Sequence, residues 1–139
     1  MPNGFHGNRK EWEEMEAPLM EIDTVLRNYA SQNNMQFSKN YHGIPERSLV
    51  WVKDGVRRLI QIFMSDDKKR TFNWWLCASE DRGKKRFWKN EFLKKEVNFD
   101  EIKNNLDNLL EEGYRLLESW QKNDLELGSE ISGEYPRQL

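Results

Sequence analysis

Histidine and cysteine are nearly absent from this sequence, with two of the first and one of the second in 139 residues. A single thiol, Cys77, cannot close an intrachain disulfide, which fits a reducing compartment. His6 and His42 lie far apart, so the donors for a zinc site are too few, and no metal or other cofactor is expected. Cys77 sits between Leu76 and Ala78 and reads as a small apolar filler; a nucleophile would need a base, and His42 alone is a candidate. Long apolar runs are also missing. No window approaches the roughly 18 apolar residues of a membrane helix, and the opening residues MPNGFHGNRKEWEE lack the apolar centre of a signal peptide. These absences point to a cytoplasmic protein without a membrane partner. The glycines are scattered among turns, and neither G-x-G-x-x-G nor G-x-x-x-x-G-K-[ST] occurs, which excludes a nucleotide-cradling loop. Adjacent carboxylates such as Glu13-Glu14 and Glu111-Glu112 read as solvated helix faces, and Asp66-Asp67 as turn residues. With no catalytic motif, the expectation is a protein that is not an enzyme.

What the chain does have is aromatic bulk and a divided charge. Apolar residues make up 37% and charged residues 33%, a polar balance that six Trp, seven Phe and four Tyr offset by burying large areas from few positions. The length suits one domain. Residues 47–95 carry fourteen Lys and Arg against six Asp and Glu, whereas the rest of the chain carries eight against eighteen. One part of the fold should therefore be basic and the other acidic.

Residues 1–8 read as a flexible lead and 9–123 as a single α+β domain; the acidic stretch 124–139, with Gly128, Gly133 and Pro136, reads as a loosely ordered tail. Trp12, Met15, Leu19, Ile22, Leu26 and Tyr29 recur every three or four residues, the stripe of an amphipathic helix from about Arg9 to Asn33. Pro18 interrupts it, and the unbroken stripe favours one kinked helix over a start near Ala17. From Met35 to Leu93 the period falls to two. Strands are expected over 35–41, 48–53, 56–64, 71–79 and 86–93, joined by short turns into a five-stranded antiparallel meander. Asp54-Gly55 marks a tight hairpin, because both of its central residues need positive φ. A second long helix begins after Asn98, with Glu101 placed for a capping box, and runs to about Asn123. Both helices should cover one face of the sheet. Gly113 lies on the second helix's apolar stripe and suggests a close approach to the sheet.

In Thr71–Ser79, alternation sends Phe72, Trp74 and Leu76 toward the helices and Trp75 away from them. Neighbouring strands are apolar on both sides, so the reverse face needs company. Trp51, Leu59, Phe63 and Trp75 are the candidate binding residues there. Three occupants fit: a second copy in an isologous dimer, a small ligand in a concave pocket, or single-stranded nucleic acid stacked on the rings. For the last, Arg57, Arg58, Lys68, Lys69, Arg70, Lys84, Lys85, Arg86 and Lys89 would supply a basic patch. An overall acidity with pI near 5.8 argues against dedicated nucleic-acid binding. A charge-divided surface with buried tryptophans suits a protein partner better. The plan is like that of many small accessory and immunity proteins, a likeness of plan that carries no function by itself. The leading expectation is a non-enzymatic, homodimeric module that binds a protein.

Overall fold

The structure, a computed structural model, describes residues 7–40, 43–66 and 69–130. Tyr41, His42, Asp67, Lys68 and the two ends, 1–6 and 131–139, lie outside the described residues. So do the expectations that fell on them: the base for Cys77, one member of the basic patch, most of the lead and much of the tail.

Helix α1, Arg9–Met20, opens with a closed capping box: the Asn8 side chain accepts from the Glu11 N–H, and the Glu11 carboxylate accepts from the Asn8 N–H. Pro18 falls in its last turn. Without a proline donor the ladder loses a bond, and just beyond it the backbone tightens, Glu21 bonding back to Pro18 and Ile22 to Leu19. The single kinked helix is therefore two helices, with α2 spanning Asp23–Gln32. The stripe survives the break, since Met15, Leu19, Ile22 and Leu26 are all buried.

Strands β1 (Gln36–Lys39), β2 (Glu46–Lys53), β3 (Val56–Asp66), β4 (Thr71–Arg82), β5 (Lys85–Val97) and β6 (Glu126–Glu130) form one sheet in sequence order, each pair antiparallel. Asp54 and Gly55 turn β2 into β3 with φ of 54° and 77°. The sixth strand corrects the reading of a loose tail for residues 126–130. The segment Glu126–Glu130 has no alternating pattern, but Leu125 before it is buried in the core, and β5 supplies an edge to pair with. Gly128 is required there, because a Cβ would overlap the Trp88 ring.

After β5, Asn98 caps helix α3, Phe99–Lys103, by accepting from the Asp100 N–H rather than from Glu101. The long helix expected here also divides: Asn104 and Asn105 intervene before α4, Leu106–Ser119. Asparagine competes for backbone bonds locally, and the Asn105 side chain donates to the Glu101 carbonyl. A short 3₁₀ turn, Lys122–Asp124, then leads into β6. Among the described residues, no helix is long and apolar enough to cross a membrane.

The helices pack on one face of the sheet around Ile60, Ile62, Phe72, Trp74 and Leu76. A Cβ built at Gly113 of α4 would lie 3.1 Å from Leu76 Cδ2 and 3.4 Å from Ile60 Cδ1, so the helix rests directly on the strands. Gly113→Val should therefore cost about 1–3 kcal/mol by overpacking, despite better helix propensity; urea unfolding midpoints measure it.

Two arginines are folded into this core. Arg47 of β2 is 1% exposed. Its Nε donates to Asp23 Oδ1, its Nη2 to Glu16 Oε2 at 2.9 Å and its Nη1 to Asn40 Oδ1 at 3.0 Å. Arg58 of β3 donates from Nε to the Leu117 carbonyl and from Nη2 to the Trp120 carbonyl, both at 2.8 Å, at the C-terminal end of α4. Its Nη1 reaches the Lys53 carbonyl at 2.8 Å.

Candidate docking face

The strand register places a second apolar layer on the face away from the helices. Val50 lies opposite Leu59, Leu59 opposite Cys77, Gln61 opposite Trp75, Trp75 opposite Phe92 and Ser79 opposite Trp88. Leu59, Trp75 and Cys77 form its buried centre, with Val50, Phe63 and Trp88 packed around them, and every one of these residues comes from a strand. Phe63 meets Trp75 edge-on at 6.5 Å, Phe92 meets it tilted at 6.4 Å, and the Trp75 indole donates to Asn90 Oδ1 at 3.3 Å. Gln61 donates to Ser48 Oγ at 3.2 Å, while its own Oε1 is buried without a partner.

Three of the four candidate binding residues, Leu59, Phe63 and Trp75, come together here. Two of those three are already covered within one chain: Leu59 is 3% exposed and Trp75 4%. The exposed apolar surface of this face is the margin around them, with Val52 at 67% and Phe92 at 37%. Sequence reasoning missed Phe92. The signal was available, because it lies two residues beyond Asn90 in the same alternation as Trp88.

Trp51 is a correction. It faces the helices, standing opposite Arg58, with its ring edge-on to Tyr114 at 5.3 Å and its indole donating to Glu118 at 3.1 Å. Leu49, Val50, Trp51 and Val52 are all apolar, so the strand alone cannot show which way it faces; pairing with β3 decides. The Glu118 carboxylate that receives Trp51 is held below its ordinary value. Burial raises it, but bonds from Lys53 and Trp51 and the nearby Arg58 charge outweigh that. Its contribution is thus present above the ordinary carboxylate range and is lost as pH falls through the lowered folded value. The stability gap between the wild type and Glu118→Gln should be widest at neutral pH and close on acidification, as urea titrations across pH would show.

The basic residues do not converge. Arg58 is the internal cap just described, which corrects its place in the patch. Arg70 reaches back to Glu14 of α1 at 3.0 Å, and Arg86 pairs with Asp81 at 2.8 Å. Lys89 lies on the helix side, 5.2 Å from the centre of the Trp120 ring. Arg57 is exposed on the open face, opposite Ser79. Lys69, Lys84 and Lys85 are exposed at the ends of strands.

Cys77 is fully buried, and burial pushes its thiol up to about 12, with Arg57 and Arg86 drawing it only partly back. It is protonated at neutral pH and sealed from solvent, so it cannot act as a nucleophile. A thiol reagent such as DTNB should leave it unmodified in the native protein and titrate it fully in denaturant. Among the described residues, no group of three or more His, Cys, Asp or Glu could hold a metal ion. A groove of about 470 Å³ lies between the α1–α2 and α3–α4 corners, lined by Ile22, Val25, Asn105 and Leu106 and bridged by a 2.6 Å Glu21–Lys103 pair. It is on the helix side, away from Trp75. No family model, curated protein or solved structure matches this chain.

Proposed function

We propose that this protein is a non-enzymatic protein-binding module that docks its partner on the helix-free face of the sheet and also self-associates. One observation carries the docking reading: an apolar, aromatic sheet face on which no helix packs among the described residues, with Val52 and Phe92 exposed at its margin. Phe63 and Phe92 already pack against the buried Trp75, which limits the side-chain entropy lost on binding. Arg57 and Lys95 lie beside the apolar margin, Lys95 Nζ being 5.3 Å from the Phe92 ring centre. They favour a partner whose apolar ridge is flanked by carboxylates. Single-stranded nucleic acid has less support, because Arg58, Arg70 and Arg86 are held by carbonyls or carboxylates instead of forming a phosphate track.

Position-specific photo-crosslinking in the native host tests the reading. A photoreactive residue at Val52 or Phe92 should yield a discrete adduct, and one at Glu14 or Glu112, on the acidic helices, should not. Equal labelling from both faces, or none from the sheet face, overturns it.

A further inference from the structure

On the open face the polar residues are the buried ones. Ser79, Gln61, Ser48 and Glu46 all lie on that side, and none is more than 6% exposed, while apolar Val52 and Phe92 stand in solvent. A sheet face turned to water shows the reverse. The four polar residues form a track. It runs from the β4–β5 turn end of the sheet, past Cys77 and Leu59, to the start of β2, and no helix packs over it among the described residues.

The described chain stops beside the first residue of that track. β6 ends at Glu130, opposite Lys85, and its Ser129 stands opposite Arg86. Arg57 lies opposite Ser79 on β3, Arg86 lies on the other side of β4, opposite Asp81, and both charges reach the Cys77 thiol. None of Arg57, Ser79, Arg86 and Glu46 is without a partner. The residues that follow Glu130 are Ile131-Ser132-Gly133-Glu134-Tyr135-Pro136-Arg137-Gln138-Leu139.

We infer that residues 131–139 lie along this track and close the docking face until a partner displaces them. The reach suffices. Cys77 is two strand spacings and five residues from Glu130, about 20 Å, and nine extended residues span about 30 Å. Ser132-Gly133 supplies the turn off the end of β6, and Pro136 holds Tyr135 extended, so that the segment can lie flat. The charges match in order. The track presents base, apolar surface and acid: Arg86 and Arg57, then Cys77 and Leu59, then Glu46. The segment presents acid, apolar surface and base: Glu134, then Tyr135 and Pro136, then Arg137. Val52 and Phe92 stand at corners outside the track, where an incoming partner meets the face first.

The regulation rests on the docking reading; the contact itself is tested inside one chain. A nitroxide on Gln138→Cys of the full chain serves as the probe, since the buried Cys77 takes no label. Amide signals of Arg57, Ser79 and Cys77 should broaden, and those of Glu14 and Glu112 on the helices should not. Glu134→Lys should reduce the broadening at least about threefold, and Glu134→Arg combined with Arg57→Glu should restore it, with circular dichroism confirming that each variant is folded. Broadening spread evenly over both faces, or indifferent to these charges, overturns the inference and leaves docking untouched. The photo-crosslinking then reads the regulation: Glu134→Lys should raise the adduct yield at Val52 at least about threefold, because the open fraction grows. An unchanged yield overturns the regulation. No adduct from either form, with the broadening intact, overturns the docking reading and the regulation together.

Discussion

Arg47→Ala should lower the free energy of unfolding by about 3–5 kcal/mol, enough to unfold much of the population of a marginally stable domain. The guanidinium is buried and holds carboxylates from two helices, Glu16 of α1 and Asp23 of α2, from its seat on β2. Removing it leaves a cavity and two partly buried carboxylates, Glu16 without its cation and Asp23 with only Lys39 at 3.7 Å, which costs more than the pair itself contributes. Lysine is no substitute, because a point charge cannot bond both carboxylates in the planar fork that Arg47 presents. A chain combining Arg47→Met with Glu16→Met and Asp23→Asn removes the stranded charges along with the cation and should recover more than half of the loss. Urea unfolding followed by tryptophan fluorescence gives both numbers. A loss under about 1 kcal/mol for Arg47→Ala would show that water reaches the site and solvates the acids.

Arg58→Ala should cost a similar amount, about 3–5 kcal/mol, for a different reason. Helix ends leave carbonyls without partners, and α4 ends inside the protein, where water cannot satisfy them. Arg58 donates to Leu117 and Trp120 there and to Lys53 in the neighbouring hairpin. Without Arg58 the Leu117 carbonyl keeps only the 3.2 Å bond from the Trp120 N–H, and the Trp120 carbonyl loses the arginine's donor; a buried acceptor left without a donor costs about 1–3 kcal/mol. Arg58→Met keeps the apolar stem and so isolates the loss of hydrogen bonds from the loss of packing; most of the effect should remain. Amide exchange should accelerate first in the last turn of α4 and in the Asp54–Gly55 hairpin. Uniform acceleration across the sheet would argue that Arg58 supports the domain generally and not the end of one helix.

These two arginines also mark where the sequence was readable. Periodicity alone located the five-strand meander and the helical stripes, because a period of two and a period near 3.6 each arise from one-sided burial. The faces of β3 and β4 followed from the same rule, so Trp74 lies under the helices and Trp75 away from them. Arg58 belonged by alternation with Val56, Ile60 and Ile62 on the helix side, and Arg47 with Leu49. Charge drew Arg58 into the basic patch in the reading and Arg47 was not singled out, whereas the fold supplies each with acceptors that only tertiary contact brings near. The helix breaks at Glu21–Ile22 and Asn104–Asn105 were hidden because the apolar stripe continues across them. β6 was hidden because its stability comes from the edge of β5 and the burial of Leu125, neither of which is local. The direction of Trp51 was undecidable from a strand that is apolar at four consecutive positions.

The order of the elements governs how the protein comes off the ribosome. Each of β2 to β5 pairs with the strand made just before it, so that much of the sheet can assemble while synthesis continues. Gly113 and the leucines of α4, however, emerge well after the strands they press upon. A nascent chain halted before Phe99 would hold five strands with Ile60, Trp74 and Leu76 bare on the side that α4 later covers, an adhesive intermediate that exists for as long as translation takes to deliver the final helix.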